Sequence, residues 1–162
     1  MKLNFSIGCL LVVMVQAQDR GEFTDYLSRM TSEFEVNQLA SDSLNMRKMK
    51  LLDTREREEF DVSHIEHAVW IGYDDFDFSR LESLAHTDTL VVYCSVGYRS
   101  NKLAEKLIEE GYVNVYNLYG GIFKWVNEKR KVVKNGIETQ QIHAYNLYWG
   151  RFLTNPELKK IY

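Results

Sequence analysis

The sequence predicts an α/β domain, a parallel sheet flanked by helices on both faces, and three observations carry that prediction. Segments of strand length rich in apolar residues recur at residues 49–52, 68–71, 90–93 and 113–118, the second and third of them wholly apolar. Between them lie helical patterns, clearest where Leu103, Leu107 and Ile108 share one face and Lys102, Glu105, Lys106 and Glu109 mostly the other. Strands that alternate with helices pair in parallel and are covered on both sides. The third observation is composition: 162 residues, 45% apolar and 13% aromatic, suit one domain with a real core.

The elements follow in chain order. Met1-Lys2 gives a positive start, Leu3 to Val15 an apolar run, and Val15-Gln16-Ala17 small or modest residues at the positions a signal peptidase reads. Residues 1–17 therefore read as a secretory signal peptide, cleaved after Ala17, on a protein exported to the periplasm or secreted. The run is short for a membrane span. Membrane contact is expected only through an uncleaved segment, and a lipoprotein reading of Cys9 is weak because the apolar run continues past it. Cleavage would leave Cys94 as the lone thiol, without a disulfide partner. Residues 18–33 read as a spacer or short helix, and the domain proper spans 34–132.

Within that domain, Val36, Leu39 and Leu44 fit a helical segment interrupted by a turn at Ser41-Asp42-Ser43. The strand at 49–52 ends in Asp53-Thr54-Arg55, and the carboxyl ends of parallel strands are where functional groups gather. Asp53 reads as structural, whereas Arg55 is divided between a structural role and contact with substrate. One helical turn follows at 57–60, then the strand at 68–71. An acidic, aromatic loop at 73–78 leads into a helix ending near Ala85, with Asp77 or Ser79 as its cap. Thr87-Asp88 turns the chain into the central strand, 90–93. A helix at 101–110 ends at Gly111, and a last strand at 113–118 precedes a helix at 122–129. The tail, 133–162, carries Tyr145, Tyr148, Trp149, Phe152 and Tyr162; docking onto the domain is favoured over a partner-binding arm.

A net charge of −3 and the lack of a basic stripe argue against a nucleic-acid partner. The four histidines match no standard zinc spacing, so neither metal nor other cofactor is expected.

Chemistry concentrates in Cys94-Ser95-Val96-Gly97-Tyr98-Arg99-Ser100, between the central strand and the following helix. A cysteine on a strand-to-helix turn meets orphan backbone N–H groups, the positive end of a helix dipole and, here, a guanidinium. Such surroundings favour a nucleophilic thiolate. The stretch resembles the active-site loop of the rhodanese-like sulfurtransferases, a cysteine opening a six-residue loop that ends on arginine. Leu51-Leu52-Asp53-Thr54-Arg55, Glu59-Phe60, Ser63-His64-Ile65 and Ala68 resemble that family's first signature, and Gly120-Gly121-Ile122 with Trp125 its closing segment. Ser63 and His67 stand where the family has glycines. Cysteine-dependent phosphatases place five residues between cysteine and arginine; four separate Cys94 from Arg99.

The resemblance implies double displacement. Cys94 takes a sulfane sulfur from thiosulfate or a persulfide and passes it to cyanide or a small thiol. Arg99 is implied as catalytic, with Ser95, Val96, Gly97, Tyr98, Ser100 and Arg55 as substrate contacts. Val96 is apolar where a second basic residue would help bind thiosulfate, which disfavours that donor. Two other readings stay open: a persulfide carrier for a partner protein, and a thiol redox module reset by a redox protein.

Overall fold

The computed structural model describes residues 7–162, with side chains described from Met14 onward except at Val15 and Gln16. At its centre β4 (Thr89–Tyr93) lies between β5 (Asn114–Leu118) and β2 (Lys50–Asp53). The short strands β1 (Asn37–Leu39) and β3 (Val69–Trp70) form the edges, in the order β1-β5-β4-β2-β3. Every pairing is parallel, and the register sets Asp53 beside Tyr93 and Leu52 beside Val92. The strand ends that carry Asp53 and Cys94 therefore open on the same side of the sheet.

Alternation along the strands builds two cores. Leu51, Val91, Tyr93 and Leu118 face one side, where they meet Phe23, Leu27 and Met30 of α1 (Ile7–Thr31), Ile122, Phe123 and Val126 of α4 (Gly121–Asn127), and the tail. Leu52, Leu90, Val92 and Val115 face the other, against Leu103, Ala104 and Leu107 of α3 (Tyr98–Glu109). Both faces are covered because the central strands are apolar on both. Each fully buried Leu or Val contributes about 1.5–3 kcal/mol.

Several segments depart from the local pattern. Residues 36–44 are not helical: β1 pairs with β5 and a 3-10 turn, Ser41–Ser43, follows. A parallel edge position overrides a weak helical spacing because the pairing satisfies backbone groups a short helix would leave open. The helix expected up to Ala85 is reduced to a 3-10 segment, Phe78–Leu81, capped by the Asp77 carboxylate, which accepts the Ser79 amide at 2.7 Å. α3 begins at Tyr98 rather than 101, so the loop's second half is already helical. His67, standing where the family has glycine, adopts a left-handed φ of 64°. The turn is kept with a backbone conformation uncommon for a residue other than glycine.

α1 is one helix, and its Phe23, Leu27 and Met30, all beyond Ala17, are in the core. Among the described residues no helix is long and apolar enough to cross a membrane. The tail forms a hairpin of β6 (Val132–Lys134) and β7 (Ile137–Thr139). It continues through β8 (Gln141–His143), the short helix α5 (Leu147–Gly150) and β9 (Lys159–Ile161), with β8 and β9 in parallel. Phe152 stacks on Phe23 at 5.2 Å and Trp149 meets Tyr26 edge-on at 5.0 Å, which fixes the tail against α1.

Candidate active site

The loop after β4 is anchored before it is shaped. Ile122 N–H donates to the Cys94 carbonyl at 2.9 Å and Phe123 N–H to the Ser95 carbonyl at 3.0 Å, so the first turn of α4 carries the start of the loop. That approach requires Gly121: a Cβ there would lie 2.4 Å from the Cys94 carbonyl oxygen, and its φ is 57°. Gly97 makes the bend itself, at φ 109°, where a Cβ would press on Met30 and Asn117. Its N–H donates to Cys94 Sγ at 3.1 Å.

Cys94 is only 1% exposed and forms the floor of a pocket of about 220 Å³. The loop contributes Ser95, Val96, Tyr98 and Arg99 to the walls; the rest come from Tyr26 on α1 and from Tyr145 and Trp149 in the tail. Among the described residues, the amides of Ser95, Val96, Tyr98, Arg99 and Ser100 have no acceptor within the chain. Such donors at the head of a helix are available to an anion seated there.

Arg99 is clamped. Its Nη1 donates to Glu59 Oε2 at 2.7 Å and its Nη2 to Glu59 Oε1 at 2.9 Å, with Glu56 3.4 Å away. Nη2 also reaches the Ser95 hydroxyl at 3.1 Å, and that hydroxyl donates to Glu59 at 2.7 Å. Glu59 sits on α2 (Arg57–Val62), 2% exposed, and closes a capping box with Glu56. Burial pushes the Glu59 carboxyl up, but hydrogen bonds and charge from Arg99, the charge of Arg55 and the Ser95 hydroxyl outweigh it, leaving the group more acidic than usual. Burial works against the Arg99 charge, and Glu59, Cys94 and Glu56 more than restore it, raising its pKa.

The other expected residues sort by depth. Ser100 does not face the pocket: it is buried, and its hydroxyl donates to Asn117 Oδ1 at 2.6 Å, with Gly97 O 3.2 Å away. Asn117 and Gln38 extend that network to Asn101, tying α3 to β5 and β1. Arg55 is a correction. It is wholly buried, forked onto Asp53 at 2.7–3.2 Å and donating to Ser63 O, so it braces the ends of β2 and α2 instead of meeting substrate. The sequence reading missed Glu59 as the partner of Arg99, and missed Tyr26, Tyr145 and Trp149 as walls. For Glu59 a signal existed, an acid in the same signature as Asp53 and Arg55. Among the described residues no group of three His, Cys, Asp or Glu side chains could hold a metal.

Comparison with known proteins agrees with this geometry. The profile of the rhodanese-like domain matches residues 36–128. The chain belongs to the rhodanese-like domain family. It is 31% identical over 106 residues to the adenylyltransferase and sulfurtransferase UBA4 of Candida albicans, covering 59% of this chain and 24% of that protein. It is 31% identical over 93 residues to a tRNA uridine(34) hydroxylase of Buchnera aphidicola, covering 54% and 29%. The chain thus spans about a quarter of the length of these curated relatives. Among solved structures, a rhodanese-related protein from Thermoplasma volcanium superposes with a TM-score of 0.51 at 26% identity, covering 60% of this chain and 97% of that one. The thiosulfate sulfurtransferase of Pseudomonas aeruginosa shares the fold, with a TM-score of 0.59 at 18% identity, covering 69% and 23%.

Proposed function

We propose that this rhodanese-like protein is a sulfurtransferase that carries sulfane sulfur on Cys94. The observation that supports it best is the seat of Cys94 Sγ: it lies on the floor of an open pocket, accepts the Gly97 amide and sits beneath unpaired amides at the head of α3. In the first step the Cys94 thiolate attacks the outer sulfur of a persulfide. A bond forms between the two sulfurs, the donor's S–S bond breaks, and its electron pair leaves with the donor thiolate. In the second step an acceptor thiolate or cyanide attacks the outer sulfur, and the electron pair of the broken S–S bond returns to Cys94. The free amides stabilise the outer, anionic sulfur while it waits. Arg99, held by Glu59, keeps the loop in shape. We also propose that the protein is exported with residues 1–17 removed; among the described residues, Phe23, Leu27 and Met30, which α1 packs into the core, lie beyond that point.

The test is the mass of the full chain after exposure to inorganic polysulfide, with peptide mapping to separate Cys94 from Cys9. A gain of one sulfur at Cys94, lost to cyanide with thiocyanate formed and absent in Cys94→Ser, is the expected result. No gain with any sulfane donor overturns the proposal.

A further inference from the structure

The walls around Cys94 restrict what can deliver or collect the sulfur. Among the described residues lining the pocket, Arg99 is the sole cation, and its charge is already met by the Glu59 carboxylate, with Glu56 beside it. The Tyr145 ring covers it further, its centroid 5.3 Å from the guanidinium carbon. An anionic head group entering the pocket therefore finds no unpaired side-chain cation among the described lining residues and meets carboxylates just behind the guanidinium. The free amides at the head of α3 serve the reacting sulfur at the floor, and Lys102 stands outside the lining, against the Tyr98 ring. What it does find is aromatic surface: Tyr26, Tyr98, Tyr145 and Trp149.

That surface is built, not incidental. Trp149 is positioned by the Asn146 side chain, whose oxygen accepts the Trp149 backbone N–H at 3.0 Å, and by the edge-on contact of its ring with Tyr26. Tyr145 holds a left-handed φ of 63°, disfavoured for a bulky side chain, and its N–H donates to His143 Nδ1 at 3.1 Å. Burial lowers the His143 pKa, in keeping with a neutral ring that accepts there. At about 220 Å³ the pocket is smaller than the roughly 300–1,000 Å³ usual for drug-sized ligands, and fits one ring on a short stem.

Building on the sulfur-transfer reading above, we propose that the pocket selects an organic thiol or persulfide bearing one flat apolar ring and no charge beyond its reacting sulfur, held by Tyr26, Tyr145 and Trp149. With such an acceptor, the outer sulfur of the Cys94 persulfide takes up the proton that the acceptor thiol loses, the resulting thiolate attacks that sulfur, and a new S–S bond forms. The Cys94 S–S bond breaks with its electron pair returning to Cys94, and the proton stays on the transferred sulfur. No outside oxidant or reductant is needed.

The full chain, loaded with inorganic polysulfide and freed of excess, is mixed with benzyl mercaptan, 2-mercaptoethanol or 2-mercaptoethanesulfonate at equal thiolate concentration. Loss of the Cys94 sulfur is followed by mass. Benzyl mercaptan is expected to clear it about tenfold faster than the sulfonate, the scale of one or two aromatic contacts. Trp149→Leu and Tyr26→Leu should each bring that ratio down severalfold, and benzyl alcohol should slow clearance by cyanide in the unmutated protein. The alcohol arm needs no variant to fold. Loading without a preference for the ring, a preference unchanged in both variants, or no effect of benzyl alcohol overturns this inference alone. Failure to load Cys94 at all overturns the transferase reading and this inference with it.

Discussion

Replacing Glu59 by glutamine tests the brace beneath the loop. Each carboxylate oxygen of Glu59 faces donors: Oε2 accepts Arg99 Nη1 and the Glu56 amide, and Oε1 accepts Arg99 Nη2 and the Ser95 hydroxyl. A glutamine in either orientation turns an NH2 group onto one of the Arg99 nitrogens and leaves the guanidinium without its main counter-charge. Removing one member of a buried ion pair costs about 3–5 kcal/mol. The Arg99 side chain is 16% exposed and keeps Glu56 at 3.4 Å, so the lower end applies, about 3 kcal/mol. At roughly 2–4 °C per kcal/mol for a chain of this size, the midpoint should fall by roughly 6–12 °C. Urea unfolding gives the free energy directly. Pairing Glu59→Gln with Arg99→Met in a double-mutant cycle isolates the coupling. The pH dependence supplies the sign. The folded carboxyl is more acidic than usual, so its stabilisation is complete above the ordinary glutamate value, about 4.3, and is lost as pH falls through the folded value. The gap between wild type and variant should therefore narrow in acid below about pH 4.3. A loss under about 1 kcal/mol at pH 7, the range of an exposed pair, would refute the brace.

Three further outcomes are expected. Gly121→Ala forces a Cβ against the Cys94 carbonyl in a left-handed backbone; a loss of about 1–3 kcal/mol in urea unfolding and slower Cys94 loading should appear together, and normal loading would contradict the anchoring of the loop by α4. Arg55→Met strands the buried Asp53 charge and should cost about 3–5 kcal/mol, much of it recovered in Asp53→Asn/Arg55→Met; a fully stable single variant would show that the pair does not brace the strand ends. Deleting residues 1–17 should leave the thermal midpoint unchanged, whereas extending the deletion through Met30 removes Phe23, Leu27 and Met30 from the core and should unfold the protein. A stable longer deletion would mean that α1 is dispensable.

Local chemistry made part of this protein legible. The strand-to-helix turn around Cys94 follows from an apolar run, a glycine and a helical period, all within a few residues of one another, and the ordered signatures extend it to the family. The reading failed where a non-local contact decided the outcome. Residues 36–39 carry a weak helical spacing, yet pairing with β5 makes them a strand. Arg55 follows a strand end that lies beside the one carrying Cys94, but its fork onto Asp53 turns it inward.

By itself the sequence determined the class of the fold, its strand–helix alternation and the placement of one cysteine at the head of a short loop, because periodicity and turn residues act over short distances. Only the tertiary structure decided what surrounds that cysteine. Glu59 reaches Arg99 across 40 positions because β2 and β4 lie side by side in parallel and deliver the segments that follow them to the same, carboxyl end of the sheet. Tyr26 and Trp149 come from opposite ends of the chain and meet over Cys94 because α1 and the tail cover the same apolar face. Burying that face brings them together, and no local pattern records it.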